Sequence, residues 1–378
     1  MESGQTIQEK DLAMTTAQKL SFDVQLTDHA RTVAEREQVL ANPGFGQHFT
    51  DHMISVDYTE GVGWHDARLL PYGPLTLDPA TSVFHYAQEL FEGLKAYRQA
   101  NGSIATFRPF ANAARFNASA LRMAMPELPE ETFVESLELL VQTDREWVPT
   151  TEGHSLYLRP FMIATQAALG VNYPSRAYKY MVIASPAASY FSGGVKPVSV
   201  WLSTEYTRAA PGGTGFAKCG GNYAAAFVAQ RQAVENGCDQ VVWLDAVEHR
   251  YVEEMGGMNL FFVFGNKLLT PALTGTLLPG ITRDSIITMA GDLGLEVAEG
   301  RLSIEEWQAG CESGELTEAF ACGTAAVITP VGTVKGADRG WTIGDGTPGP
   351  VTLKLRDELV GVQYGARPDT HDWVHKIC

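Results

Sequence analysis

The segment Gly215-Phe-Ala-Lys-Cys-Gly-Gly-Asn-Tyr223 sets a single lysine, Lys218, between glycines. Glycine lets a backbone approach another group closely, so this lysine lies where a ligand can come near the main chain. A lysine amine reacts only when it is neutral, and burial or nearby positive charge lowers its pKa toward that state. The alternative is a solvated loop lysine, which the local sequence alone favours because most lysines lie at the surface.

A second segment, Leu278-Pro-Gly-Ile-Thr-Arg-Asp284, predicts a turn that leads into a helix, with Thr282 as its N-cap. Free N–H groups at a helix start bind anions, and a phosphate ester is a suitable ligand. The alternative is an ordinary cap without a ligand. Further along, Gly323-Thr-Ala-Ala326 offers a hydroxyl and small residues that leave backbone N–H groups open, unless it is only a tight β-bulge.

Two adjacent acids follow Lys218 in the segment Tyr251-Val-Glu-Glu-Met255, which we interpret as part of a strand. Strand alternation sends Glu253 and Glu254 to opposite faces, so that one can be solvated while the other points inward. Glu254 precedes two glycines, where a ligand can lie against the backbone. An inward carboxylate needs a cationic partner or it takes up a proton, and either a pyridinium nitrogen or an arginine satisfies it.

Length and composition limit the classes of protein that fit. A chain of 378 residues favours two domains. With 28 basic and 44 acidic residues, the net charge of −16 and the lack of a basic run argue against nucleic-acid or membrane-surface binding. Five cysteines without a CxxC pair argue against a disulfide framework or a metal site, and indicate a cytoplasmic protein. Met1–Lys19 lacks the apolar core of a signal peptide, and the uncharged runs are short of the ~20 residues of a membrane helix.

The pattern of elements is mixed α and β in two halves, joined by the Gly- and Pro-containing segment Ser192–Pro197. Apolar residues at Val83, Tyr86, Leu90, Leu94 and Tyr97 have a helical spacing that Gly93 interrupts. Helices are predicted at Pro109–Met123, Glu130–Val148, Ala224–Glu235 and after a capping box at Ser303 and Glu306. Strands are predicted at His52–Tyr58, Ser155–Pro160, Tyr178–Ser185, Val198–Thr204, Gln240–Asp245, Tyr251–Phe264 and within Ala319–Val334.

Four segments together resemble the branched-chain amino-acid aminotransferases, a family of fold-type IV pyridoxal-phosphate enzymes. They are His85-Tyr-Ala-Gln-Glu-Leu-Phe-Glu-Gly-Leu-Lys-Ala-Tyr97, Lys218-Cys-Gly-Gly-Asn-Tyr223, Glu254-Met-Gly-Gly-Met-Asn259 and Gly275-Thr-Leu-Leu-Pro-Gly-Ile-Thr-Arg283. The similarity runs from about Phe45 to Trp373, and the sequence of several segments is most similar to that of actinobacterial members. It implies an α+β homodimer with a small α/β domain (31–191) and a large pseudo-barrel domain (198–378) on either side of the connector (192–197). The polarity of the N-terminal residues and their lack of a period predict a flexible tail (1–30).

The resemblance also implies how pyridoxal 5'-phosphate is held. Lys218 would carry the cofactor as a Schiff base and then move the proton between substrate and cofactor. Glu254 would pair with the pyridine nitrogen, Tyr223 would bind the phenolic oxygen, and Arg115 would bind the phosphate. The remaining implied contacts are Leu278 against the ring and Gly280, Ile281, Thr282 and Thr324 around the phosphate.

For the substrate, the resemblance implies an apolar pocket and two carboxylate sites. Tyr86 and the Ala325–Ala326 backbone would hold the α-carboxylate, while Tyr157 and Arg159 would hold the distal carboxylate of glutamate or 2-oxoglutarate. Core packing is an equal alternative for Tyr157 and Tyr190. The side-chain pocket would comprise Phe45, Tyr86, Tyr190, Gly257 and Val171, the last from the Leu169–Tyr173 loop of a partner subunit.

The chain departs from the family pattern at two places. Vertebrate members carry a redox-active CxxC where Ala326 and Thr329 stand, so thiol regulation of that kind is not expected. The family often has a threonine where Gly257 stands, which leaves the size of the side-chain pocket open.

The leading hypothesis is therefore reversible, ping-pong transamination of L-leucine, L-isoleucine and L-valine with 2-oxoglutarate, in branched-chain amino-acid biosynthesis. The nearest alternative is another fold-type IV activity, such as D-amino-acid transamination or aminodeoxychorismate lysis. A cofactor-binding protein without turnover is the alternative from a different class, but it would be expected to lack Lys218 or Glu254.

Overall fold

The computed structural model describes residues 20–189 and 195–378, and its first half is built on a nine-stranded sheet. The order of strands is β1-β3-β2-β8-β7-β5-β6, with the C-terminal strand Val374–Lys376 at the edge and β4 against β7. The strands are β1 (Asp23–Val24), β2 (His52–Thr59), β3 (Gly63–Pro71), β4 (Glu89–Phe91), β5 (Leu94–Arg98), β6 (Ile104–Phe107), β7 (Ser155–Ala164) and β8 (Ala177–Ala187). The helices are α1 (Val33–Ala41), α2 (Ser82–Tyr86), α3 (Pro109–Arg122) and α4 (Glu130–Thr143), followed by a 3-10 turn at Arg145–Trp147.

The second half forms a closed barrel. Strands β11, β10, β9, β16, β15 and β12 pair in that order, and an additional β11–β12 pairing closes the ring. The predicted pseudo-barrel is confirmed. Its strands and neighbours are β9 (Val198–Ser203), β10 (Gln240–Leu244), β11 (Val252–Met255), β12 (Met258–Phe264), β13 (Lys267–Pro271), β14 (Glu296–Gly300), β15 (Leu316–Gly323), β16 (Val327–Lys335) and β17 (Gly340–Thr342). The helices are α5 (Gly220–Ala224), α6 (Phe227–Glu235), α7 (Ile281–Asp292), α8 (Ile304–Ser313) and α9 (Pro350–Gln363).

Strand β7 has two faces with different roles. Leu156 and Leu158 are fully buried and belong to a core that α3 and α4 cover. The intervening Tyr157 and Arg159 are half-buried and share the opposite face, as the alternation predicts. In the neighbouring strand β5, Lys95 stands directly opposite Tyr157. This face therefore carries polar side chains, whereas its reverse provides the packing.

Two sequence predictions of secondary structure are wrong, and one alternative is excluded. The helical spacing at Val83–Tyr97 yields only the short α2, because Ala87 takes a left-handed φ of 48° and the residues beyond it pair with β7. The expected single strand Tyr251–Phe264 is the hairpin β11–β12, turning at Gly256 with φ 56°. Gly323–Ala326 lies at the tip of the hairpin β15–β16 and is not a bulge.

Other predictions are confirmed. Helix α3 spans the expected residues, and α8 begins with the predicted reciprocal cap between Ser303 and Glu306. No helix among residues 20–189 and 195–378 is long and apolar enough to cross a membrane. The tail at 1–30 and the connector at 192–197 lie partly outside the described residues, so the division into domains stays a prediction.

Candidate active site

Lys218 lies between the two halves of the chain and is fixed through its backbone. Its N–H donates to Ser119 Oγ at 3.0 Å, and its carbonyl accepts from Phe91 N at 3.0 Å. These bonds attach the lysine to α3 and β4. The flanking glycines serve this packing, because a Cβ at Gly215 would overlap Thr276 O and one at Gly220 would overlap the Glu89 carboxylate.

The Lys218 side chain is half-buried and points at an aromatic cluster. Its Nζ donates to Tyr223 Oη at 3.0 Å and stands 5.1 Å from the centre of the Phe91 ring. The Phe91 and Tyr223 rings are 5.0 Å apart. Within the described residues no carboxylate lies within 4 Å of Nζ, so its nearest polar partner is a phenol. The expected neighbourhood of Lys218 and Tyr223 is therefore present.

Glu254 on β11 is a buried carboxyl with one oxygen satisfied and one not. Its exposed fraction is 2%, and Oε1 accepts from Leu278 N and Asn259 Nδ2, both at 3.1 Å. Oε2 lies 2.9 Å from Arg208 Nε, yet the geometry makes no hydrogen bond to it, so that contact is electrostatic and not directional. Burial raises the pKa of Glu254 to about 7, because the arginine offsets only part of the desolvation.

An N–H donor at Oε2 is what this carboxyl lacks, and a protonated pyridine nitrogen is such a donor. The chain therefore fits a pyridinium ring here. The sequence analysis expected either a pyridinium or an arginine as the partner of Glu254, without saying which arginine. In the structure that arginine is Arg208. Arg208 Nη1 also donates to the carbonyls of Gly215 and Thr276, at 3.3 and 2.9 Å, and so connects Glu254 to the lysine loop.

Neither of the two adjacent acids is solvated, although alternation would allow one of them to face solvent. Glu253 is 8% exposed, and its Oε1 accepts from Thr276 Oγ1 at 2.5 Å. Burial raises the pKa of Glu253 as well. Alternation gives each acid its own partners, Thr276 for Glu253 and Leu278 with Asn259 for Glu254.

Helix α7 begins at the predicted place, but its N-cap is Gly280 and not Thr282. Gly280 is required because a Cβ there would overlap Asn259 Oδ1. No side chain caps the helix, so the first N–H groups, including those of Ile281 and Thr282, stay available to an anion. The buried Thr282 lies in the first turn, and Asp284 pairs with a neighbouring arginine instead of a ligand.

Arg115 reaches the same helix start from α3. Its Nη1 donates to Pro279 O at 3.1 Å, while Nε and Nη2 donate to the two oxygens of Glu92 at 2.7 and 2.8 Å. Glu92 is fully buried, and Arg115 holds the pKa of that carboxyl below its ordinary value although burial opposes this. The pair fixes the guanidinium beside Pro279, the residue before the N-cap of α7. The sequence reasoning did not identify Glu92 as a site residue.

The predicted distal-carboxylate residues form one cluster with the lysine site. Arg159 Nη2 donates to Tyr157 Oη at 3.1 Å, and its guanidinium stands 4.7 Å from the centre of the Phe91 ring. Phe45 meets Tyr157 edge-on at 5.1 Å. The Arg159 Nε is buried without a hydrogen-bond partner, and no carboxylate in the described part of the chain is ion-paired with this side chain. Glu89 acts on this guanidinium electrostatically from beyond ion-pair distance, so Arg159 lies among aromatic rings without an ion pair.

The hairpin tip β15–β16 presents Thr324 and Ala325 half-buried and Ala326 buried, so its small side chains leave the backbone accessible. Lys95 Nζ donates to Ala325 O at 2.8 Å and ties this tip to the first sheet. Gly257 is beside Tyr223, and a Cβ there would make an ordinary contact of 3.5 Å. A larger residue at position 257 would therefore narrow the space next to Tyr223.

Two predicted substrate residues are not joined to this cluster within one chain. Tyr86 Oη donates to Leu169 O at 2.7 Å, in place of the expected approach to the Ala325–Ala326 backbone. Tyr86 and Val171 are 42% and 70% exposed and line a groove of about 430 Å³. Tyr190 lies outside the described residues.

Comparison with known proteins agrees with this geometry. Residues 89–334 match the family model described as amino-transferase class IV. The chain is 61% identical over 363 residues to a branched-chain-amino-acid aminotransferase of Mycolicibacterium smegmatis, covering 95% of this chain and 98% of the relative. It is 58% identical to a probable branched-chain-amino-acid aminotransferase of Streptomyces coelicolor, covering 95% and 99%.

Solved structures of branched-chain amino acid aminotransferases have the same fold as this chain. The Escherichia coli branched-chain amino acid aminotransferase aligns with a TM-score of 0.71 at 28% identity, over 85% of this chain and 99% of that one. The branched-chain amino acid aminotransferase from Thermobaculum terrenum in its PLP-form aligns with a TM-score of 0.70 at 26% identity, over 88% and 100%.

Proposed function

The chain belongs to the class IV aminotransferases, as a pyridoxal-phosphate-dependent branched-chain aminotransferase, and on that premise we propose its substrates and the role of each site residue. The proposed reaction moves the amino group of L-leucine, L-isoleucine or L-valine to 2-oxoglutarate and gives branched-chain 2-oxo acids and L-glutamate. The observation that carries this proposal is the unpaired Arg159 set among the rings of Phe45, Phe91 and Tyr157. Such a pocket suits both an apolar and an acidic side chain.

The proposed cofactor contacts follow from the groups of the site that lack a hydrogen-bond partner, namely Glu254 Oε2 and the first N–H groups of α7. Lys218 would carry pyridoxal phosphate, Tyr223 would bind its phenolic oxygen, and Glu254 Oε2 would accept from its ring nitrogen. Leu278, whose N–H is already bonded to Glu254, would pack against the ring. The phosphate would lie at the start of α7, near Gly280, Ile281, Thr282, Arg115 and Thr324. When bound, the protonated ring supplies an electron sink for the substrate Cα.

The protein's own task at the reacting atoms is to hold and move one proton. Lys218 Nζ is the proposed base that takes the proton from the substrate Cα and later returns one to the product. Tyr223 Oη, 3.0 Å from Nζ, keeps the amine oriented within the site. The neighbouring Phe91 ring excludes water on one side of the amine, which limits loss of the proton to solvent.

Arg159 is proposed to distinguish the two half-reactions. A guanidinium presents paired donors that match a carboxylate, so the distal carboxylate of 2-oxoglutarate or glutamate would take the free Nε edge. The side chain of leucine would instead pack against Phe45 and Tyr157, and Arg159 would then keep its bond to Tyr157 Oη. Gly257 leaves room beside Tyr223 for a branched side chain.

We further propose a homodimer, in which Val171 and Tyr86 belong to the site of the partner subunit. Exposed apolar side chains collect on α2 and the following loop, namely Phe84, Tyr86, Leu169, Val171 and Tyr173. An exposed apolar patch of this kind is typical of an interaction surface. A cytoplasmic location stays part of the proposal, supported by five free cysteines.

Steady-state kinetics of the cofactor-loaded enzyme tests this function. Wild-type enzyme should convert L-leucine with 2-oxoglutarate and should not convert D-leucine. In R159M, the KM for 2-oxoglutarate should rise by about tenfold to a hundredfold, as expected for a lost charged hydrogen bond, while the half-reaction with L-leucine changes little. Equal losses in both half-reactions would contradict the assignment of Arg159, and turnover of D-leucine alone would contradict the proposed function.

A further inference from the structure

Glu89 is a carboxylate beside the lysine loop that makes no ion pair with any residue the structure describes. It begins strand β4, and its Oε1 accepts a hydrogen bond from Gly220 N, just after Lys218. A Cβ at Gly220 would overlap this same oxygen, so the carboxyl is held against the loop. The other oxygen, Oε2, has no hydrogen-bond partner in the described part of the chain, and it is not fully buried. Oε2 is therefore free to take up a proton.

Strand β4 directs Glu89 to the face of the first sheet that carries the proposed site. Leu90 is fully buried, whereas Glu89 and Phe91 are half-buried and share the opposite face. The Phe91 ring lies between the two halves of the site, 4.7 Å from the Arg159 guanidinium and 5.1 Å from Lys218 Nζ. Glu89 therefore lies on the same face as the cation that is proposed to receive the distal carboxylate.

The main packing against β4 comes from β7, α3 and α5. The charged and titratable side chains of these elements at the site are Arg159 and Tyr157 of β7, Arg115 of α3, and Lys218, Cys219 and Tyr223 at and before α5. Arg115 is engaged by Glu92, and Lys218 is bonded to the Tyr223 hydroxyl. Arg159 is the side chain whose charge acts on Glu89, from beyond ion-pair distance.

The charge of Glu89 is more than its backbone contact requires. Burial raises the pKa of Glu89, and the Gly220 N–H and the Arg159 guanidinium offset only part of that rise. The neutral oxygen of a glutamine would accept from the same N–H without the cost of burying a charge. A carboxylate near Arg159 is explained by a pocket that has to hold side chains of different charge.

We propose that Glu89 is a specificity-determining residue, which balances the charge of Arg159 while an apolar side chain fills the pocket and takes up a proton from solvent on Oε2 when a dicarboxylate binds. With leucine bound, Arg159 and the ionised Glu89 sum to zero. With 2-oxoglutarate or glutamate bound, the distal carboxylate pairs with the guanidinium, and a second anion nearby is unfavourable. Protonated Glu89 restores the neutral sum, and the proton returns to solvent when the dicarboxylate leaves. This inference rests on the proposed function, in which Arg159 receives the distal carboxylate.

The direction of the pH dependence follows from this exchange. Glu89 has a raised pKa in the free protein, and an incoming anion raises that pKa further. Below the pKa of the free protein the carboxyl is already neutral, and a dicarboxylate binds without proton uptake. Above it, each bound dicarboxylate brings in up to one proton, so its affinity falls as the pH rises, by at most about tenfold for each pH unit. A monocarboxylate with an apolar tail lacks this dependence.

Two ligands without an amino group separate the two cases. Glutarate and 4-methylvalerate are glutamate and leucine without that group, and both keep the carboxylate that corresponds to the α-carboxylate. Each is titrated calorimetrically into the cofactor-loaded holoenzyme, in buffers of different ionisation enthalpy, between about pH 6.5 and 8.5, where both carboxylates of glutarate are ionised. The buffer dependence of the heat gives the number of protons taken up. Groups that respond to the shared carboxylate cancel in the comparison of the two ligands.

We expect wild type to take up more protons with glutarate than with 4-methylvalerate, by on the order of half a proton at the maximum. In E89Q, which keeps an acceptor for Gly220 N, this difference should disappear. At the alkaline end of the range, E89Q should favour glutarate over 4-methylvalerate by about threefold to thirtyfold more than wild type does. The control E248Q removes an exposed acid and should match wild type. Absorption of the bound cofactor and thermal unfolding verify that each variant is folded and loaded.

Three results would overturn the role of Glu89. They are equal proton uptake with both ligands in wild type, an extra uptake with glutarate that persists in E89Q, and a ratio of the two affinities in E89Q that stays within about threefold of wild type. The last result is what a purely structural defect at Gly220 would cause, since both ligands would weaken together. Failure of the proposed function is distinct, because wild type would then not transaminate L-leucine with 2-oxoglutarate, or R159M would bind glutarate as well as wild type does.

Discussion

The replacement of Glu254 by glutamine in the apo-protein tests the electrostatics of the site. Glu254 is buried, and its pKa is raised from the ordinary 4.5 to about 7. The folded protein therefore binds this proton more tightly than the unfolded chain does. The stability that the protonated carboxyl provides is complete below about pH 4.5, and it is lost as the pH rises toward and through about 7.

The size of the effect on the free energy of unfolding follows from the pKa shift of Glu254. A displacement from 4.5 to about 7 corresponds to roughly 3 kcal/mol in the free energy of unfolding, at 1.36 kcal/mol for each pH unit. Glutamine has nearly the same shape and does not titrate. Between pH 4.5 and 8, apo wild type should therefore lose roughly 3 kcal/mol relative to apo E254Q. The constant offset between the two proteins also contains the lost attraction to Arg208, so the pH dependence is the quantity to measure.

The assay is urea unfolding of both apo-proteins at several pH values, followed by tryptophan fluorescence. Acids that do not interact with Glu254 are present in both proteins and cancel in the difference. E248Q removes an exposed acid and controls for the change in net charge. With cofactor bound the trend should disappear, because a pyridinium compensates the carboxylate. A difference between apo wild type and E254Q that stays constant across this range would refute the reasoning.

Two glycines give further predictions. G280A places a methyl group against Asn259 Oδ1 at the start of α7, and it should weaken cofactor binding at least about tenfold, whereas G291A, in open space on the same helix, should leave the affinity measured by cofactor titration unchanged. G93A would overlap the Tyr157 hydroxyl, and should destabilise the protein by about 1–3 kcal/mol in thermal unfolding and raise the KM for 2-oxoglutarate. Wild-type affinity in G280A, or unchanged stability in G93A, would contradict these contacts.

Local sequence was sufficient where a residue's neighbours are close along the chain. Lys218 and Tyr223 are five residues apart, and their contact follows the predicted loop. The start of α7 was predicted within two residues. Its cap was misassigned because Gly280 is selected by a distant side chain, that of Asn259, and not by capping preference.

Contacts between residues that are distant along the chain could not be predicted from the sequence. Arg208 pairs with Glu254 across 46 residues, and Glu92 pairs with Arg115 only because β4 and α3 meet in the fold. The stretch after Ala87 has a helical apolar spacing, but pairing with β7 overrides it. Tyr86 and Val171 lie apart from the lysine cluster within one chain, and their assignment to the site depends on the proposed homodimer.

Lys218 is the proposed point of attachment of the cofactor. Borohydride reduction of the holoenzyme fixes the cofactor to the lysine that holds it, and mass spectrometry of the peptides then identifies that lysine. We predict the added mass on the peptide that contains Lys218, and no added mass in K218A. A modified Lys95 in place of Lys218, or a K218A enzyme that is still labelled to the wild-type extent, would contradict it.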